Sequence, residues 1–233
     1  MVLDFGFQIL DSVSSAKPQA QRPKTKDQRR KSKIQNPKSK IERVCVFCGS
    51  SEGRRPIYRE AARALGVALA RRGAELVFGG GRVGLMGVLA DAVLAAGGRA
   101  IGVIPEALVA KELAHRGLTE LRVVDSMHQR KALMADLSDA FVALPGGFGT
   151  LEEYCEALTW AQLGLHAKPC GLLNVAGFYD ALLELFDHAV SEQFVSGPHR
   201  SLVLVEEDPQ RLLGLLAGYR PAHMEKWIDG LEL

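Results

Sequence analysis

From residue 43 onward the chain alternates between short, predominantly apolar runs and longer stretches whose apolar residues recur every three or four positions. The runs fall at 44–49, 74–79, 99–104, 121–124, 139–144, 169–174 and 201–205. Amphipathic stretches cover 56–72, 83–97, 126–137, 150–164 and 178–191, with a last one at 208–217. Successive side chains of a strand point to opposite faces, so a run that is apolar throughout is buried on both. Strands of this kind separated by helices predict a parallel sheet covered on both sides, a doubly wound, Rossmann-like α/β fold. Ligands of such folds bind outside the carboxyl ends of the strands, so the residues just after each strand are the ones to read for chemistry.

Composition changes this picture at the termini. Residues 1–40 hold ten Lys/Arg and three Asp, a net of +7, which leaves −5 on the other 193 residues of a chain whose total is +2. The basic balance is therefore a property of the tail, and nucleic acid is not expected as a partner of the rest. The tail repeats KSKI at 31–34 and 38–41 and is polar and proline-punctuated. It is read as a disordered basic extension, 1–40, ahead of a single nucleotide-binding catalytic domain at 41–220 and a C-terminal tail at 221–233. No apolar run approaches the ~18 residues of a membrane span, and the first residues lack the basic and small-residue marks of a signal peptide. Cys45 and Cys48 form a C-x-x-C, but a spacing of three on a strand sends the thiols to opposite faces, against a metal site or redox pair. No second C-x-x-C or H-x-x-x-H accompanies it, so no metal is expected. Reduced thiols fit a cytoplasmic protein.

Three strand ends are rich in small residues: Gly49-Ser50-Ser51, GGGRVGLMG at 79–87 and PGGFGT at 145–150. Glycine lets a backbone approach a ligand closely, and a helix start offers free N–H groups to an anion. Three such turns at one sheet edge predict a ligand that carries phosphate. Gly79, Gly81 and Gly84 formally match G-x-G-x-x-G, but after the second strand rather than the first. Pro105-Glu106 is a poor ribose-binding acid, and no Gly-Lys-Ser/Thr is present. A nucleoside monophosphate spread over several loops fits better than a dinucleotide. The cations come from 125–140, where Ser126 and Gln129 form a capping-box pattern and Arg130 and Lys131 sit near the helix start, against its dipole. The third loop, however, runs straight into Glu152 and Glu153, which would repel a phosphate.

Together VCVFCGSS, GGGRVGLMG, MHQRKALM and PGGFGTLEE resemble the LOG (Lonely Guy) family of cytokinin riboside 5′-monophosphate phosphoribohydrolases, over roughly residues 43–215. The resemblance implies hydrolysis of the N-glycosidic bond of an N6-substituted adenosine monophosphate to free base and ribose 5-phosphate, with no cofactor. It places Arg130 and Glu153 as the catalytic pair. It puts Gly146, Gly147, Gly149 and Thr150 on the phosphate, and Gly80, Gly81, Leu85, Met86 and Gly87 around the nucleotide. Ser50 and Lys131 complete the expected substrate contacts. A homodimer through 126–137 and 150–164 is implied as well. Family members are often labelled lysine decarboxylases, but no residue here specifies a pyridoxal phosphate lysine. In this light the glutamate serves the ribose, whose positive charge develops as the bond breaks, while the loop amides serve the phosphate.

Other readings stand beside it. Thr150-x-x-Glu153 is also a capping box, in which the glutamate would only bond the Thr150 N–H. Trp160 suits a base or a subunit interface. An NAD(P)-linked oxidoreductase or a non-catalytic nucleotide or cofactor carrier could use the same loops, though a carrier has no need of Arg130 and Glu153.

Overall fold

The computed structural model describes residues 41–109 and 113–221. The expected extension at 1–40 and all but Pro221 of the expected C-terminal tail lie outside them. Seven strands form the sheet: β1 (Arg43–Phe47), β2 (Glu75–Phe78), β3 (Ala100–Pro105), β4 (Glu120–Val124), β5 (Ala140–Ala143), β6 (Cys170–Leu173) and β7 (Val203–Glu206). Every pairing is parallel, in the order β4-β3-β2-β1-β5-β6-β7. β1 is central, with Val44 opposite Leu76 of β2 on one side and Ala140 of β5 on the other.

The order explains where the helices go. Strand addition runs outward from β1 to β4, then returns to the other side of β1. Because parallel crossovers are right-handed, that reversal moves the helices to the opposite face. α1 (Pro56–Arg71) and α2 (Gly84–Ala95) pack on one face, joined by α8 (Pro209–Gly218) through Leu212, Leu213 and Leu216. α4 (Met127–Leu137), α5 (Phe148–Gln162) and α6 (Asp180–Ser191) lie on the other, around Met134, Tyr154 and Tyr179. Cys48 belongs to the first core and Cys45 to the second, as the spacing of three requires. The described elements match the expected runs closely. The one-turn helices α3 (Glu106–Val109) and α7 (Gly197–Arg200), and a 3-10 turn at Val175–Gly177, were not foreseen because four residues are too short to show a period. No described helix is long and apolar enough to cross a membrane.

Candidate active site

The reversal at β1 opens a crevice between the carboxyl ends of β1 and β5, and the loops that follow these strands are tied together there. The Gly49 N–H donates to the Pro145 carbonyl (3.1 Å), and the Leu85 N–H to the Gly49 carbonyl (3.0 Å). Two glycines allow this closeness. Gly84 has φ +59° and faces the Ser50–Ser51 peptide, where a methyl would overlap backbone. Gly146 lies over Thr150, and a methyl on it would come 2.9 Å from Gly49 N. Ser50 is exposed at this junction and Thr150 is buried beneath it.

α5 starts at Phe148 with Gly147 as its N-cap and no side-chain cap. Its first-turn N–H groups have no partner within the helix. Gly147 and Gly149 are exposed, and a methyl on either would meet nothing within 4 Å, so the helix start is open to a ligand. This start also decides between two readings of Glu153. A capping box needs Thr150 at the N-cap, whereas Thr150 is already the third helical residue. Glu153 therefore lies well inside α5 and caps nothing.

The second loop divides into lining and support. Gly80 (φ +71°) packs against β3, and a methyl on it would lie 3.2 Å from Ile104 Cβ. A methyl on Gly81 would lie 2.8 Å from Met86 Cε, so Met86 folds back over the loop. The Leu85 side chain is in the core and Gly87 is buried against the Arg82 carbonyl, so these two hold the turn together. A strap that sequence patterning missed runs alongside: His115 N–H donates to the Gly80 carbonyl (2.9 Å) and Arg82 N–H to the Leu113 carbonyl (2.8 Å).

Arg130 and Glu153 meet at the centre. α4 is capped by Ser126, whose hydroxyl accepts from Gln129 N–H (3.2 Å); Gln129 Oε1 in return accepts from Asp125 N–H (3.0 Å) rather than from Ser126 N–H. Arg130, Met134 and Ala135 are the buried residues of α4, so Arg130 occupies the helix face that looks at the sheet. Its Nε donates to the Val103 carbonyl within β3 (3.1 Å), and Nη1 lies 3.8 Å from Met127 Sδ and 3.3 Å from Glu153 Oε1. Both side chains of this ion pair are only 10% exposed. Glu153 Oε1 still accepts no hydrogen bond from any described residue. Burial raises the carboxyl pKa above its ordinary value and the Arg130 charge opposes that rise; Glu152 and Glu156 push the same way as burial, and Lys131 against it.

Lys131 is engaged elsewhere. Its ammonium bonds Glu152 and lies 3.0 Å from Glu156, tying α4 to α5, and these bonds raise its pKa. The two adjacent glutamates thus have separate partners, Glu152 at the surface with Lys131 and Glu153 inside with Arg130. Phe47, Phe141, Lys131, Glu153, Glu156 and Trp160 line a small cavity behind the pair. Among the described residues there are two lysines, Lys131 and Lys168. A Schiff-base lysine needs an amine freed by a depressed pKa beside its substrate. Lys131 has the opposite shift. Lys168, just before β6 and so at the amino end of that strand, away from the carboxyl-end crevice, is lowered by burial but donates to the Ala135 carbonyl (2.7 Å). Neither fits a pyridoxal phosphate lysine.

Fold and crevice make this a Rossmann-like α/β protein with its polar site at the topological switch point. Two solved structures share that fold. The molybdenum cofactor binding protein from Rippkaea orientalis is 22% identical, with a TM-score of 0.59, over 77% of this chain and 97% of that one. The molybdenum cofactor carrier protein from Chlamydomonas reinhardtii is also 22% identical, with a TM-score of 0.57, over 76% and 96%. The family model described as "possible lysine decarboxylase" matches residues 86–216. A probable cytokinin riboside 5′-monophosphate phosphoribohydrolase of Oryza sativa subsp. japonica is 55% identical over 179 residues, 77% of this chain and 79% of that protein. A cytokinin riboside 5′-monophosphate phosphoribohydrolase of Arabidopsis thaliana is 50% identical over 181 residues, 78% and 84%. The chain belongs to this family, the LOG phosphoribohydrolases.

Proposed function

We propose that this protein hydrolyses the N-glycosidic bond of adenosine 5′-monophosphates, N6-substituted ones included, releasing the free base and ribose 5-phosphate. The observation that carries the reading is the buried Arg130–Glu153 pair beside the open first turn of α5. The N–H groups of that turn, with Gly146, Gly147, Gly149 and Thr150, hold the phosphate. Gly80, Gly81 and Met86 flank the nucleoside. The Glu153 carboxylate faces the ribose, stabilises the positive charge that grows as the C1′–N9 bond breaks, and orients or deprotonates the water. The water oxygen forms the new bond to C1′, the bonding pair leaves with the base, and the base takes up a proton. Burial favours the neutral carboxyl, and the Arg130 charge opposes that rise in its pKa. A carrier of the same fold would have no use for this pair.

The half-buried Trp160 and Leu165, just past α5 and 60% exposed, support a homodimer through α4 and α5, and the free thiols suit the cytoplasm. Incubation with AMP, N6-isopentenyl-AMP, the matching ribosides and the triphosphates tests the reading. Free base is expected from the monophosphates alone, because a fixed set of loop amides binds a riboside weakly and crowds a triphosphate. Equal turnover of adenosine and AMP, or tight AMP binding with no base released, would overturn it. Light scattering at micromolar concentration reads the oligomer, and a monomer would refute that part.

A further inference from the structure

Gly79, the first glycine of the second loop, is explained neither by backbone conformation nor by room for a ligand. It is absent from the residues with positive φ, which include its neighbour Gly80. It is buried, at the end of β2. A methyl built on it would overlap Arg130 Nη2 and lie 2.9 Å from Arg130 Cζ; the next neighbour, Met86 Sδ, is at an ordinary 3.4 Å. No backbone atom crowds it. The guanidinium cannot step aside without loss, because its Nε is held by the Val103 carbonyl and its Nη1 by Met127 and Glu153.

We propose that Gly79 is a positioning residue, a bare patch of backbone on which the Arg130 guanidinium lies so that it reaches Glu153. The inference rests on the catalytic role of that pair. An added methyl is relieved most cheaply by swinging the end of the arginine side chain, so the consequence falls on the site and not on the fold. Withdrawing the guanidinium also removes the charge that opposes the raised carboxyl pKa. What then acts on Glu153 is Lys131 of α4, already shared between Glu152 and Glu156 of α5, and the thiols of Cys45 in β1 and Cys48 just after it, which burial keeps un-ionised.

The test compares Gly79→Ala, Arg130→Ala and the double variant, with AMP as substrate. Gly79→Ala is expected to melt within a few degrees of the parent. Its kcat falls about tenfold to a hundredfold, the cost of an ångström-scale misplacement, and the acid limb of kcat/KM moves to higher pH. The double variant is no slower than Arg130→Ala. A Gly79→Ala enzyme within about twofold of the parent, its acid limb unmoved, overturns the inference, and an inactive Arg130→Ala beside it leaves the catalytic reading standing. Full turnover by Arg130→Ala sinks the catalytic reading and this inference with it. If Gly79→Ala does not fold, the double variant decides: folding restored once the guanidinium is gone supports the steric account, and a double variant equally unfolded refutes it.

Discussion

Replacing Glu153 by glutamine keeps the side-chain length and removes the charge. Across the 3.3 Å separation from Arg130, the attraction at an effective dielectric constant of about 20 comes to roughly 5 kcal/mol. Opposing it is the desolvation of two ions that are each 10% exposed, at several kcal/mol per ion. Glutamine removes the attraction and the carboxylate's own desolvation together, and Arg130 keeps its bond to the Val103 carbonyl. Arg130 is, however, left buried without its counter-ion, so the net change is a loss of up to about 3–5 kcal/mol, a Tm fall of at most about 6–20 °C for a domain of this size. A cap lost from α5 adds nothing, because Gly147 caps that helix. Turnover behaves differently. Without the carboxylate neither the ribose cation nor the water has its partner, and kcat is expected to fall by a hundredfold or more, about 2.7 kcal/mol of barrier. AMP affinity is retained, since the α5 amides are untouched. Base release at saturating AMP, scanning calorimetry and AMP titration measure the three quantities on one preparation. Glu152→Gln, exposed and bound to Lys131, is the control and stays within about threefold of the parent. A Glu153→Gln enzyme equally fast, with unchanged AMP binding, would refute the mechanism.

Two further predictions concern the core. The Tyr154 hydroxyl is fully buried and bonds no described residue, which costs about 1–3 kcal/mol, so Tyr154→Phe should melt at or above the parent temperature with unchanged turnover; a clear loss of stability would reveal a partner for the hydroxyl. His166 donates Nε2–H to the Ala157 carbonyl (3.0 Å) and accepts Lys168 N–H at Nδ1 (3.2 Å), which fixes the neutral ring, and burial, then the Lys168 charge, hold its pKa down to about 4 from 6.5. A depressed pKa gives stability that is complete above pH 6.5 and lost as pH falls toward 4, so Tm should decline over that window and decline less in His166→Gln; parallel curves would count against it.

The chain alone determined the alternation of elements, because burial on both faces writes itself as continuous apolar runs and burial on one face as a helical period. It also marked the glycine-rich strand ends, where only small residues allow loops to cross closely, as Gly84 does against Ser50. The family motifs put Arg130 and Glu153 in view, and Thr150-x-x-Glu153 was legible as a cap or as chemistry with equal justice. Tertiary structure had to choose. α5 begins two residues earlier than its apolar period suggests, on a Gly147 N-cap that has no side chain to announce it. Lys131 reads as a phosphate ligand beside Arg130, yet consecutive helical residues point about 100° apart. One therefore turns to Glu152 and Glu156 and the other to the sheet. The same limit hid Gly79: a glycine that leaves room for a side chain 51 residues away differs in no local way from one that serves a turn. Contacts between residues distant in the chain are set by strand order, here the reversal at β1, and no local pattern carries that order.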